Sequence, residues 1–328
     1  MADLRNISGT SAGNDTKLDN VLLDVYSEEI LYAAQPLLRF EQIAVIKQDL
    51  TVLPGQTIKF LKYSAITGDS AIAETATIDT GIISTSTISI SVGEHAKAVA
   101  FSELLLRTSV VDVLSDAAKL LGNHYAVQRD NLVRNTLMGS SNVKYADSSG
   151  NSANTARADL DTTDLFDVNL VRDIVEFLMT SKAPKFQGDA YVSFIHPHQA
   201  KFLRKDPAWV NAQLYANPDN ILTGESGRIE DMRFIVTTQV AYIPVTTQDI
   251  WADGVDTGNN TAVAANSVTT VYLSINVGDY AVGVAEALPV EMRDDGVQDF
   301  GRTHSIAWYG IYGAGLLETG HACIGESA

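Results

Sequence analysis

Two histidines flanking a proline, His196 and His198, are the residues whose types and spacing first suggest chemistry. Paired imidazoles are common zinc ligands. Here Pro197 starts a helix between them, so the two rings need not point the same way, and neither a carboxylate nor a cysteine completes a ligand set at zinc spacing nearby. The pair therefore predicts a strand-to-helix junction rather than a metal centre. Asp294, Asp295 and Asp299 around Gly296 offer oxygens to calcium, but the bidentate Glu of an EF-hand loop is missing at its offset. An exposed turn between strands is expected there. Gly224-Glu225-Ser226-Gly227 departs from the G-x-S-x-G nucleophile elbow. Gly310, Gly313 and Gly315 do not make G-x-G-x-x-G, and they fall late in a strand-like segment instead of opening a helix. There is no P-loop, and none of the six histidines has a readable nucleophile partner. The single cysteine, Cys323, has no catalytic context; it excludes an intrachain disulfide and fits a reducing compartment. These residues predict no catalytic, cofactor or metal site. Folds without motifs still catalyse, so an enzyme with an unrecognised site stands as an alternative of another class, beside a β-rich adhesin or tail protein.

The elements that position these residues are legible from periodicity. Met1–Asp19 is polar and reads as an extended arm. Leu22–Phe40 has helical spacing, interrupted by Pro36. Lys47–Ala98 reads as a long two-stranded hairpin, with TIKFLKY at Thr57–Tyr63 and STSTISISV at Ser84–Val92 as its strands. Ile88, Ile90 and Val92 share one face of the second strand. A lone hairpin is marginally stable in water, so this one must lie on something, and its thin apolar content points to another subunit. Thr108–Met138 is the longest helical pattern, with Ser109 and Asp112 as a capping-box-like start, Gly139 as a stop and Gly122 as a possible bend. Its apolar stripe runs through Val110, Val113, Leu114, Ala117, Leu121, Tyr125 and Leu132. A second amphipathic helix covers Thr163–Lys182. Tyr191–Thr238 then gives a short buried strand, a helix begun by Pro197, a helix begun by Asp206-Pro207 with Trp209 and Tyr215 as anchors, a loop with Gly224 and Gly227, and a strand at Arg233–Thr238. Polar stretches at Ser140–Asp161 and Ile243–Ser267 read as insertions. Strands follow at Thr269–Ile275, Ala281–Ala285, Leu288–Arg293 and His304–Glu318. Strands and helices interleave irregularly, which predicts an α+β fold.

Composition narrows the partners. The chain is 45% hydrophobic and 19% charged, with a formal net charge of −17. A surface of that sign repels nucleic acid unless a basic patch overrides it. The clusters Lys182/Lys185 and Lys201/Arg204/Lys205 are small and read as solvated faces. Direct DNA binding is not expected; enclosing DNA in a non-sticky acidic container is compatible. The N-terminus lacks a charged-then-apolar signal pattern, and no apolar run reaches membrane-spanning length.

Read in order, a polar arm, a long hairpin, a long helix, a mixed α/β region and returning strands resemble the fold shared by tailed-phage major capsid proteins, herpesvirus capsid floors and encapsulins. The block Ile195-His196-Pro197, Leu203-Arg204-Lys205-Asp206-Pro207-Ala208-Trp209, Gly227-Arg228-Ile229 and Arg233–Thr238 is similar to the short-tailed-phage and prophage branch, as are the LPGQTIKF start of the hairpin and Tyr309–Gly313. The resemblance implies an N-terminal arm and first helix (1–46), an E-loop hairpin (47–98), a P-domain with a spine helix (99–160), an A-domain (161–287) and terminal strands returning to both (288–328). It implies a non-enzymatic major capsid protein that forms pentamers and hexamers of an icosahedral shell around double-stranded phage DNA. Its partners would be copies of itself, with portal, separate scaffolding and decoration proteins. Its place would be the virion capsid, assembled in the host cytoplasm. The fold alternative is an encapsulin-like nanocompartment shell. Lys59 and Lys62 lie in the hairpin as solvated lysines would, and no isopeptide cross-link is expected. Ile88, Ile90 and Val92 are the candidate contacts with a neighbouring subunit.

Overall fold

Among the described residues, strands form where β-branched and aromatic residues alternate with polar ones, as in TIKFLKY and TSTISIS, and also where they do not, as in ESGRI and ACIGES. The computed structural model describes residues 39–47, 56–63, 82–108, 113–149, 154–186, 190–207, 225–245, 251–252, 255–256 and 269–328. The polar arm, nearly all of the first helix, the middle of the hairpin, Ser109–Asp112, Trp209, Tyr215 and most of the Ile243–Ser267 insertion lie outside the described residues. In chain order come β1 (Val45–Lys47), β2 (Thr57–Tyr63), β3 (Thr85–Ser91), β4 (Gly93–Ser102), α1 (Glu103–Thr108), α2 (Val113–Met138) and β5 (Val143–Tyr145). Next are α3 (Val168–Thr180), β6 (Tyr191–Ile195), α4 (Pro197–Leu203), β7 (Glu225–Ile229), β8 (Met232–Val236) and β9 (Tyr242–Ile243). β10 (Trp251–Ala252), β11 (Val255–Asp256), β12 (Val271–Val277), β13 (Val282–Gln298), β14 (Thr303–Leu316) and β15 (Ala322–Ser327) complete the chain. Two compact units result. One draws on Ile46–Tyr125 and Gly283–Leu317, the other on Leu38–Val45, Ala126–Val282 and Glu318–Ala328.

The first unit holds a four-stranded sheet in the order β1-β13-β14-β4 and the separate β2–β3 pair. Along β14, Ile306, Trp308, Gly310 and Tyr312 are buried in strict alternation, the period a pleated strand imposes. Their face meets Tyr125 of α2, whose ring lies edge-on to Trp308 at 5.4 Å and to Tyr312 at 6.4 Å. The β2–β3 hairpin is paired from Thr57 opposite Ser91 to Tyr63 opposite Thr85. It closes where Val92 N–H donates to the Gln56 carbonyl at 3.1 Å. Pairing stops there: Gly93–Ser102 leaves the hairpin and pairs along β14 instead, from Gly93 opposite Tyr312 to Ser102 opposite Thr303.

The expected turn at Asp294-Asp295-Gly296 is a correction. These residues lie inside β13, a single strand of 17 residues. Gly296 adopts φ +70° within it, and Asp294 accepts the Gly296 N–H at 2.8 Å while holding His304 of β14 at 3.0 Å. A cross-strand partner thus satisfies the carboxylate that composition assigns to a turn. The chain reverses instead at Asp299-Phe300-Gly301, where all three residues have positive φ.

Helix α2 runs unbroken through Gly122 for 26 residues, about 39 Å. Its buried stripe passes through Ala117, Leu121 and Tyr125 as expected, then continues through Arg129, Asp130, Val133 and Arg134. Leu132 is half-buried. In the second unit β12 sits between β15 on one side and β6 and β9 on the other. β8 extends the sheet parallel to β6. Helix α3, capped where Asp167 accepts the Leu170 N–H at 2.9 Å, contributes Leu170, Ile174 and Leu178 to a core with Phe166, Phe234, Leu273 and Ile324. Strand β15, missing from the pattern analysis, is buried end to end.

Candidate assembly interface

The residues that suggested chemistry are occupied structurally. His196 is the N-cap of α4: its Nδ1 accepts the His198 N–H at 3.2 Å, and Gln199 Oε1 accepts the His196 N–H at 3.2 Å. This closes a reciprocal cap with Pro197 at the first helical position. Both imidazoles pack on Tyr272, with ring centroids at 4.9 Å and 4.2 Å. Burial holds both histidines below the usual imidazole range, helped by His198 beside His196 and by Lys201 beside His198. They are neutral helix-cap residues near neutral pH. Among the described residues, no three His, Cys, Asp or Glu side chains are grouped to hold a metal ion. Burial pushes the Cys323 thiol up to about 12, which leaves it an unreactive core residue. Glu225, Ser226 and Gly227 lie in β7; Gly224 falls outside the described residues. The late glycines of β14 have a steric role: a Cβ on Gly313 would collide with the Ser91 carbonyl, and one on Gly315 would meet the Ile90 side chain at 2.9 Å. They let β3 lie directly against β14.

That crossing decides which hairpin residues face outward. Ile90 is 3% exposed and is taken up by the chain's own packing over Gly315. Ile88 and Val92 are half-buried. The Ile90 side chain is thus covered within its own chain; period-2 alternation identifies a face but not what covers it. Ile58 and Phe60 of β2 are buried with it, the Phe60 ring reaching Gly283. The open apolar residues of the hairpin lie further along: Leu61, Tyr63, Ile82 and Ile83 are exposed, Ile82 by 90%.

Among the described residues, two buried ionic groupings escaped pattern analysis. Where the described chain begins, Phe40 is fully buried against Phe194, with ring centroids at 4.4 Å. Asp130 Oδ1 accepts the N–H groups of Arg39 and Phe40 at 3.0 and 2.7 Å, and Glu41 pairs with Arg129. Burial raises the Asp130 pKa against the downward pull of those N–H groups and Arg134. In the same unit Arg157 grips Glu326 of β15 through both carboxylate oxygens, its Nε at 2.7 Å from Oε2. The only sequence signal for the first grouping is that Arg129, Asp130 and Arg134 occupy stripe positions of α2, which reads as a break in amphipathicity.

Among the described residues no helix is long and apolar enough to cross a membrane. A family model for phage capsid proteins matches residues 85–323. No curated protein is significantly similar in sequence. Solved structures are similar in fold. The cyanophage Pam1 capsid matches with a TM-score of 0.69 at 15% identity, covering 90% of this chain and 92% of that one. The capsid of Ralstonia phage GP4 matches with 0.66 at 16% identity over 87% of each chain. The capsid of Helicobacter pylori bacteriophage KHP30 matches with 0.63 at 13% identity over 88% of this chain and 91% of that one.

Proposed function

The chain belongs to the phage capsid protein family, and on that premise we propose that its copies assemble as pentamers and hexamers of an icosahedral shell enclosing double-stranded DNA. It is a structural component of the virion capsid. The observation that carries the assembly reading is the β2–β3 hairpin. Its base is buried in its own chain at Ile58, Phe60 and Ile90, while Leu61, Tyr63, Ile82 and Ile83 stay open to solvent. Large apolar side chains left open on a hairpin suit an interaction surface, and a neighbouring copy is the partner a shell supplies.

In this reading residues 47–98 act as the E-loop, 99–160 as the P-domain with α2 as its spine, 161–287 as the A-domain, and 288–328 return to both. Ile88 and Val92 belong to the contact at its inner edge, with the four exposed residues as its main part. The net charge of −17 keeps the inner wall from sticking to packaged DNA. Assembly takes place in the host cytoplasm, with scaffolding and portal as separate proteins, and the chain catalyses nothing. Expression of the full chain followed by negative-stain electron microscopy tests the proposal. Closed particles of uniform diameter are expected; a monomer at every concentration, with no particles, overturns it.

A further inference from the structure

Five rings run in a row across β9, β12 and α4 and lead to a group of cations. They are Tyr242, His196, Tyr272, His198 and Phe202, with successive centroids 5.9, 4.9, 4.2 and 4.9 Å apart. All five are half-buried, so each keeps part of its surface open. At the Phe202 end stand Lys201, Arg204 and Lys205, all exposed. The Lys201 and Lys205 ammonium groups lie 5.2 and 5.5 Å from the Phe202 ring centroid, within cation–π reach. One ring thus gathers two positive charges on its own part of the surface. Several exposed cations elsewhere sit beside carboxylates, as Arg107 does beside Glu103 at 2.7 Å and Arg172 beside Glu230 at 3.0 Å. Among the described residues no carboxylate pairs with Lys201 or Lys205. The carboxylate next in sequence, Asp206, is half-buried and accepts the Val168 N–H at 3.1 Å.

The sequence alone reads these three cations as a solvated face. What the structure adds is the row of rings beside them, and the two together select an occupant. A local surplus of positive charge on a chain carrying −17 attracts a polyanion where the rest of the surface repels one. Phosphates answer the ammonium groups, and flat, unpaired bases answer the rings; cations beside aromatic side chains are the combination that holds single strands. A duplex keeps its bases stacked inside and presents phosphates alone, so it uses half of the arrangement. An acidic peptide would use the cations and leave the rings idle. We propose that this face binds a single-stranded segment of nucleic acid, with its phosphates on Lys201, Arg204 and Lys205 and its bases against the open parts of Phe202, His198 and Tyr272. Stacking of this kind is tolerant of sequence, and no base-specific reading is assigned.

Fluorescence anisotropy of a labelled oligo-dT, titrated at low salt with the full unassembled chain, tests the site. Saturable binding is expected, at least tenfold tighter than for a duplex of equal length. Oligo-rU in a parallel titration tells RNA from DNA as the source, tighter binding of either strand upholding the contact. The double variant Lys201→Gln/Lys205→Gln should bind at least tenfold more weakly. It should also flatten the slope of log affinity against log salt by about 1.4, since each phosphate neutralised on a single strand contributes about 0.7. Phe202→Leu keeps the charges and removes a ring, so it should weaken binding at least threefold with the salt slope unchanged. Thermal midpoints equal to wild type show that both variants fold. No binding, a duplex or heparin bound as tightly as the single strand, or wild-type affinity from Phe202→Leu overturns the proposal. Because binding is read on the unassembled chain, it and shell formation fail separately.

Discussion

At the scale of single residues, the polar groups of this protein are spent on holding the fold. Trp308 Nε1 can only donate, and it donates to His124 Nδ1 at 3.2 Å. That fixes the His124 tautomer, with its proton on Nε2. Protonation would place a second N–H against the indole N–H and a cation in the aromatic cluster of Trp308, Tyr125 and Tyr312. Burial and, to a lesser degree, Lys97 of β4 hold the His124 pKa below the ordinary value; His95 on the same strand stacks on Tyr312 at 4.4 Å. A histidine whose folded pKa lies below its unfolded value binds protons more readily when unfolded. Its stabilising contribution is complete above the usual histidine pKa of about 6.5 and is lost as pH falls through the folded value. His196 and His198 act with the same sign. The thermal midpoint of the unassembled chain should therefore fall from about pH 7.5 to pH 5. His124→Asn, whose Oδ1 stands in for Nδ1 without titrating, should flatten that slope; an unchanged slope removes His124 from the account.

At the scale of elements, the hairpin divides into a base that belongs to the fold and a far part that does not. Ile90→Ala empties a site covered by Gly315 and should destabilise the unassembled chain by about 2–4 kcal/mol. Tyr63→Asp removes only an exposed ring and should change stability by less than about 0.5 kcal/mol, yet abolish particle formation. Chemical denaturation and microscopy of the two variants separate these effects. Equal stability losses in both, or normal particles from Tyr63→Asp, would contradict this division. Strand β15 shows the opposite economy. Its sequence, ACIGES, has no alternation and a single strong strand former, Ile324, yet it pairs with β12 from Ala322 opposite Val277 to Ser327 opposite Tyr272. Its polar atoms are met by partners: Ser327 Oγ accepts from Gln199 Nε2 at 3.0 Å, and Glu326 binds Arg157. The adjoining Asn276 side chain bridges Ser193, Ser274 and the Cys323 carbonyl. Buried polar groups are tolerable when each is paired, and pattern analysis is blind to such strands because the compensation comes from distant residues.

At the scale of the whole molecule, the proposed assembly sets the exposed apolar residues of the hairpin against a strongly negative chain. Exposed charges more than a Debye length apart are screened, and that length shrinks from about 10 Å at 0.1 M salt to 3 Å at 1 M. Added salt should therefore promote particle formation, read as light scattering at fixed protein concentration; a decline with salt would mean that ion pairs, not apolar contacts, hold the copies together. The sequence by itself determined the α+β class, the order of hairpin, long helix and mixed region, and the His196-Pro197 helix start to the residue. These are local properties, because periodicity, capping and turn chemistry act within a few residues of themselves. Only the tertiary structure decided that Ile90 faces inward over a glycine, that Asp294 lies in a strand and not a turn, and that charged residues finish the buried stripe of α2. Each of those depends on what lies across a sheet or beneath a helix. A side chain's environment is set by residues far away in the chain, so its own neighbours in sequence carry no record of it.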